Sequence, residues 1–223
     1  MDRRLLAAHE LEDTSVVANN TMNRERGLSG VNSYTREPGF DPLAHLRSAA
    51  PTPAWLDLCS GSGHALREAA AHLPPGASLT GVDLVGPLRG APLPPSLELL
   101  TASVSDWRAS RTYDLITCVH GLHFLADPLG LLTRAATWLT PNGGLLAAHF
   151  DPASVRFEDG APAARPVLAS LRAAGFTYTH RHHRLTLHGP ATVRLPFRSL
   201  GADAEGGPNY TGQPAVAAYY ARA

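Results

Sequence analysis

The chain has no lysine: its 19 basic residues are all arginine, they face 19 Asp and Glu, and the formal net charge is zero. That balance argues against a general nucleic-acid binder, which needs a basic patch to neutralise phosphates. The missing lysine, together with heavy use of Ala, Leu, Gly and Pro, reads as coding bias and carries no function. Cysteine is scarce as well. Cys59 and Cys118 are the only two, too few for a disulfide framework. Neither sits in a CxxC pair, so no metal site is expected from them. No apolar run approaches the ~20 residues of a membrane span. The start of the chain lacks an apolar h-region, because Leu5 and Leu6 are soon followed by His9, Glu10, Glu12 and Asp13. The expectation is a reduced, cytoplasmic protein with no membrane or nucleic-acid partner.

What is present is enough for one domain. A chain of 223 residues, 44% hydrophobic, can build a sheet covered on both faces. Residues 1–50 are polar, with Asn19, Asn20, Asn23, Arg24, Arg26, Asn32 and Arg36 crowded around Gly27 and Gly30. Such a segment cannot form a core alone and is expected as a cap of short helices and a loop over a domain at 51–223. From Ala54 a β/α alternation begins. Strands are predicted over 54–58, 78–82, 97–101, 114–119 and 145–150. Helices are predicted over 64–73, 129–139 and 163–174, with Pro74-Pro75-Gly76 and Gly175 as stops. In the tail, 176–187 and 192–197 alternate, and 215–221 fits one more strand. Strands without intervening helices predict an antiparallel hairpin closing a parallel sheet.

The most informative segment is Trp55-Leu56-Asp57-Leu58-Cys59-Ser60-Gly61-Ser62-Gly63. A strand feeds a glycine-rich turn, which feeds a helix whose N-terminus presents free N–H groups to a ligand. Asp83 follows about 20 residues later, at the end of the next strand, where a carboxylate can accept hydrogen bonds from ribose hydroxyls. The dinucleotide fingerprint GxGxxG is absent, since Leu66 stands where its third glycine belongs and a start at 59 meets Cys59.

These residues resemble the class I family of methyltransferases that use S-adenosylmethionine (SAM). The family's Asp-Leu-Gly-x-Gly-x-Gly stands here as Asp57 to Gly63, with Cys59 in place of the first glycine. The Gly-Asp after the third strand stands as Ala102-Ser103. Tyr113-Asp114 opens the fourth strand and leads to Leu122-His123-Phe124, and Leu139-Thr140-Pro141-Asn142-Gly143-Gly144 precedes the fifth. The resemblance covers residues 54 to 150 and, loosely, the tail. It implies a single doubly wound, Rossmann-like α/β domain with a mostly parallel seven-stranded sheet, an antiparallel C-terminal hairpin and a short helical N-terminal cap. It implies SAM as cofactor, with Asp57, Cys59, Gly61 and Gly63 at the methionine part, Asp83 at the ribose, and Ser103 at the adenine amine. Tyr34, Leu84, Val104 and Cys118 complete the cofactor site, and Trp107 is expected over the adenine face.

Methyl transfer demands alignment first, and a base only if the nucleophile is a hydroxyl. Candidate catalytic residues are His120 and His123, after the fourth strand, because imidazole titrates near neutrality. Tyr34, His149 and Asp151 are candidate substrate contacts, and Arg24, Arg26 or Arg36 can meet a carboxylate. His180, His182 and His188 would share one face of an alternating strand; together with His183 they read as a solvated strand and not as a metal site. The loop at 206–212 reads as a connector. The expected activity is methyl transfer to an O, N or C atom of a small molecule, with secondary metabolism as the setting that analogy suggests. Three alternatives stay open: a non-methylating reaction such as a cyclisation, a protein or peptide methyltransferase, and a non-catalytic partner of another methyltransferase. Oligomeric state is not readable.

Overall fold

Short helices α1 (Ala8–Glu12) and α2 (Ser15–Ala18) precede α3 (Pro42–Ala49), and β1 (Ala54–Leu58) and α4 (His64–Ala70) follow. β2 (Ser78–Asp83), β3 (Leu97–Thr101) and β4 (Leu115–Cys118) come next, then α5 (Pro128–Thr137), β5 (Leu145–His149) and β6 (Val155–Phe157). The chain ends with α6 (Ala164–Ala173), β7 (Thr177–Thr179), β8 (Arg184–His188), β9 (Phe197–Asp203) and β10 (Ala217–Arg222). This computed structural model describes residues 4–18, 26–30, 33–37, 39–84, 86, 92–210 and 212–223. Asn19, Asn20, Asn23, Arg24, Val31, Asn32, Thr211 and the first part of the 87–95 loop lie outside the described residues. Among the described residues no helix is long and apolar enough to cross a membrane.

Seven strands form one sheet in the order β3-β2-β1-β4-β5-β8-β7. β1 to β5 are mutually parallel, and β8 runs antiparallel to both of its neighbours. The doubly wound sheet and its antiparallel closing pair are therefore as the sequence predicts. Alternation along the strands divides the core. Trp55, Leu115 and Leu145 are in register and join Leu46 of α3 and Ala65, Leu66 and Ala69 of α4. Leu56, Ile116 and Leu146 point the other way and join Leu131 and Leu132 of α5 and Leu168 and Leu171 of α6. Helix starts follow capping chemistry: the Asp41 carboxylate accepts the Leu43 N–H ahead of α3, and Asp127 accepts that of Gly130 in α5, each with proline at the first helical position. At the amino ends of the strands, Asp114 accepts the Ala54 N–H at 2.8 Å and the Thr140 hydroxyl at 2.9 Å, tying together the segments that enter β1, β4 and β5.

The tail departs from expectation in three ways. Residues 192–196 form no strand; β9 begins at Phe197. β9 and β10 do not join the main sheet but pair with β6 in a second sheet, ordered β6-β10-β9. The alternating run 176–187 is broken, because β7 turns back on β8 through a 3-10 turn at His180–His182, and His183 takes a left-handed φ of +46°. His180, His182 and His188 therefore share no strand face. The second sheet also seats the N-terminal arm: Leu6 bridges to Ala202 of β9, and Leu11 of α1 packs with Ala126, Ala202 and Val216.

A buried hydrogen-bond chain crosses the sheet centre. The Trp55 indole N–H donates to Thr117 Oγ1 at 2.8 Å, and that hydroxyl donates to Asp57 Oδ1 at 2.6 Å. Thr117→Val keeps the shape and leaves both partners unpaired in the core. At about 1–3 kcal/mol for each stranded group, the loss is expected to be roughly 2–5 kcal/mol by urea unfolding. A loss under about 0.5 kcal/mol would mean that the chain contributes nothing.

Candidate active site

The strand order reverses between β1 and β4, and ligands in such sheets bind beyond the carboxyl ends at that point. Cys59 to Gly63 leave β1 there, Asp83 ends β2, His120 follows β4, and His149 ends β5. The turn is tight. Gly61 and Gly63 have φ of +59° and +74°, and the Gly61 N–H donates to Asp83 Oδ2 at 2.9 Å. Cys59 holds φ +59°, a conformation that disfavours a side chain by roughly 1–2 kcal/mol. Its thiol meets that of Cys118, and this contact, followed by burial, raises its pKa well above the ordinary range. At Gly121 a Cβ would stand 2.5 Å from Cys59 Cβ and 2.9 Å from Cys118 Sγ, so only glycine fits there.

A pocket opens above this turn, lined by Cys59, Gly61, Asp83, Leu84, Val104 and His120, with Val119, Gly121, Phe124 and Leu125 adding an apolar wall. Glu12 and Val17 of the cap close its other side and leave about 70 Å³. Glu12 also accepts the Ser103 hydroxyl at 2.5 Å and that of Ser105 at 3.4 Å. Ser103 is thus occupied by the cap. Trp107 packs edge-on against Trp138, with ring centroids 5.6 Å apart, and does not line the pocket.

Behind the turn lies Asp57, 1% exposed. Tyr34 of the cap donates its hydroxyl to Asp57 Oδ2 at 2.6 Å, while Thr117 satisfies Oδ1. Burial outweighs both bonds and pushes the Asp57 pKa up to about 7. Burial also raises the Tyr34 phenol well above its usual value. Neither side chain reaches the pocket. Their geometry fits them to hold cap and turn together.

A second constellation sits beside the pocket. Glu37 Oε2 lies 3.2 Å from His120 Nε2 and 3.6 Å from His149 Nε2. Its other oxygen meets Arg26 Nη1 at 3.2 Å. His120, like Cys59, is left-handed, with φ +58°. Its Nδ1 is 2.8 Å from the Tyr210 hydroxyl, and Tyr210 stacks on His183 with centroids 4.1 Å apart and an 11° interplanar angle. The hydrogen bond from His120 lowers the Glu37 pKa to about 2. Burial lowers His120 and takes His123 and His149 down to about 3. The imidazoles are accordingly neutral and the carboxylate is charged. With Glu37 accepting, His120 donates from Nε2 and accepts the Tyr210 O–H at Nδ1. A polar crevice of about 210 Å³ opens on this cluster, lined by Arg36, Glu37, His149, Arg181, His182, His183 and Tyr210.

Of the residues singled out in the sequence, Cys59, Gly61, Asp83, Leu84, Val104 and His120 meet at the pocket, and Arg36, His149, His182 and His183 at the crevice. Gly63, Asp57, Tyr34, Ser103 and Cys118 stand behind the pocket wall. Asp151 accepts the Ala153 N–H at 3.0 Å and the Tyr210 N–H at 3.2 Å, so it anchors Tyr210 and does not line the crevice. Among the described residues His123 has no hydrogen-bond partner on either ring nitrogen, and it lines neither space. The 206–212 loop is more than a connector, because Tyr210 borders the site. Glu37 and Tyr210 were not singled out: they lie 83 and 90 residues from His120, and no local pattern links them.

A family model described as "Methyltransferase domain" matches residues 32–188. No protein of curated function matches by sequence. Among solved structures, the chain is similar to an amino pentose methyltransferase from Micromonospora echinaspora, involved in calicheamicin biosynthesis and solved with SAM bound. That match has 23% identity over 52% of this chain and 50% of the other, with TM-score 0.40. It is also similar to a SAM-dependent methyltransferase from Thiobacillus denitrificans in complex with S-adenosyl-L-homocysteine, at 20% identity over 62% of each chain and TM-score 0.38. The plantazolicin methyltransferase BpumL, in complex with a desmethylPZN analog, gives 19% identity over 48% of this chain and 42% of that one, with TM-score 0.41. The chain thus spans about half the length of these structures.

Burial fixes the sign of the acid response. Between pH 6.5 and about 3 the unfolded chain binds a proton at His123 that the folded chain refuses. Its contribution to stability is therefore lost as pH falls through that window. His123→Phe is expected to reduce the pH slope of the unfolding free energy by up to about 1.4 kcal/mol per pH unit. Urea unfolding across the window checks this, and an unchanged slope would mean that the ring titrates alike in both states.

Proposed function

Since the chain belongs to the methyltransferase-domain family, we propose that it uses SAM to methylate a small polar molecule held in the crevice beside the pocket. One observation carries this reading: His120 forms a wall of the pocket and, through Glu37 and Tyr210, a wall of the crevice. A reacting atom there has the donor on one side and polar groups on the other.

The pocket residues suit SAM. Asp83 offers a carboxylate for the ribose hydroxyls, and Leu84, Val104, Phe124 and Leu125 offer apolar contact for the adenine. Bound SAM supplies a methyl group on a sulfonium: the nucleophile's lone pair forms the new bond to carbon, and the C–S pair leaves with sulfur. The protein's own work is alignment and water exclusion. In this reading Asp57 and Tyr34 position the turn, and His120 is the catalytic residue. Tyr210 and Glu37 fix its ring, and the Tyr210 hydroxyl, as it gives its own proton to His120 Nδ1, takes up the nucleophile's proton. His149 borders the substrate, and Arg36 and Arg181 favour a substrate carrying a carboxylate or phosphate.

Two measurements test the reading. Asp83→Ala is expected to weaken SAM binding roughly 10- to 100-fold by calorimetry, the cost of losing hydrogen bonds to a charged group, with an unchanged far-UV spectrum. Equal affinity in the variant would remove Asp83 from the site. Glu12→Ala is expected to act oppositely. The cap helices must withdraw to admit a nucleoside, and removing the Glu12–Ser103 contact makes that easier by about 1 kcal/mol. SAM should then bind about fivefold tighter; weaker binding would mean that Glu12 helps to hold the ligand.

A further inference from the structure

The groups around Glu37 are arranged as a ligand set. Glu37 Oε2, His120 Nε2 and His149 Nε2 come from three separate elements, the cap and the ends of β4 and β5. One ligand atom from each of the three residues lies within 4.8 Å of the other two. Bonds of about 2.0–2.2 Å to nitrogen and oxygen place neighbouring ligands on one ion about 3.0–3.4 Å apart. The carboxylate oxygen stands 3.2 Å and 3.6 Å from the two imidazole nitrogens. A movement of a few tenths of an ångström brings these spacings to those values. The imidazoles sit 4.3 Å apart, centroid to centroid, tilted by 34°. They converge on one oxygen and do not stack flat.

The surroundings orient two of the three ligands through an outer partner, as metal sites generally require, while His149 Nδ1 has no hydrogen-bond partner among the described residues. The far nitrogen of His120 faces the Tyr210 hydroxyl at 2.8 Å, and the far oxygen of Glu37 faces Arg26 at 3.2 Å. His120 and His149 are 4% and 3% exposed. His149 and Glu37 border the crevice, where a ligand from solvent or substrate can complete the coordination, and His120 borders the neighbouring pocket.

We propose that Glu37, His120 and His149 bind one divalent transition-metal ion, with open positions facing the crevice. Two neutral nitrogens and one carboxylate suit zinc, iron, cobalt or nickel rather than magnesium or calcium. The metal site stands without the methyl-transfer reading, but its consequence for substrate rests on that reading. With the ion in place, His120 is a ligand and not a base. The ion draws the proton from a bound hydroxyl into water, leaving an oxygen nucleophile at neutral pH. The substrate class is then a hydroxylated molecule with a second oxygen or nitrogen donor beside the hydroxyl.

The test uses tag-free, full-length protein stripped with a chelator and titrated with Co²⁺, whose visible ligand-field bands report coordination. One equivalent is expected to bind with a dissociation constant in the micromolar range or tighter. His149→Ala and Glu37→Gln should each weaken binding at least about 10- to 100-fold, while His188→Ala, at the exposed end of β8 outside the cluster, should match the parent. No saturable uptake, or equal uptake by both cluster variants, would overturn the site. Circular dichroism and SAM titration of the metal-free variants separate lost ligands from lost fold. SAM binding without cobalt binding removes the metal site and spares the methyltransferase reading, and cobalt binding without SAM binding does the reverse.

Discussion

A carboxylate buried at the centre of a sheet is costly unless every lone pair is used, because removing a charge from water costs several kcal/mol that only close partners offset. Asp57 is such a group, and much of the molecule is arranged to satisfy it. Thr117, on the adjacent strand, spends its hydroxyl on one oxygen while receiving the Trp55 indole N–H. Tyr34 reaches in from the N-terminal segment to take the other oxygen. The same contact makes a polar, glycine-rich segment part of the core, since Tyr34 lies edge-on against Trp55 with centroids 5.8 Å apart. Glu37, three residues further on, is thereby delivered to the histidines. The site's carboxylate thus depends on a hydrogen bond made behind it.

Strain is concentrated in the same region. Three non-glycine residues among those described hold a positive φ: Cys59, His120 and His183. Cys59 and His120 line the pocket, and His183 lines the crevice and stacks on Tyr210. Outlying backbone persists where the surroundings over-determine it, and here each residue is pinned by its side chain: Cys59 against Cys118, His120 between Glu37 and Tyr210, His183 under the Tyr210 ring. Glycine at these positions would relax the backbone and lose the group that the turn presents.

The legible part of the molecule is the part governed by local signals. Residues 54–58 and 61–63 announce strand and turn, Asp83 falls where a strand must end, and the helix stops at 74–76 and 175 are set by proline and glycine. The cap's role was harder to read. Its polar residues reveal no core-facing pattern, and Tyr34 reaches its partner 23 residues away. The tail misleads for a physical reason. Alternation predicts a strand but cannot name the sheet it joins, so 176–187 reads as one strand where a reversal at 180–183 makes two, and β9 and β10 pair with the short β6 instead. Glu37 and Tyr210 illustrate the same limit. Each is an ordinary residue in a loop until the fold brings it to His120, which the motif after the fourth strand does mark.

The pairing of Leu6 with Ala202 carries a consequence for synthesis. The arm that bears α1, and with it Glu12 at the mouth of the pocket, docks on β9 and on Val216, far later in sequence than the central strands. During translation the central strands can assemble early, since parallel neighbours β1, β2 and β3 lie within about fifty residues of sequence, and domains generally fold as they emerge. The arm has nothing to dock on until its partner strands have cleared the ribosome. The mouth of the pocket therefore takes shape after the central sheet, and a chain truncated before β9 would carry the glycine turn with its lid left unmoored.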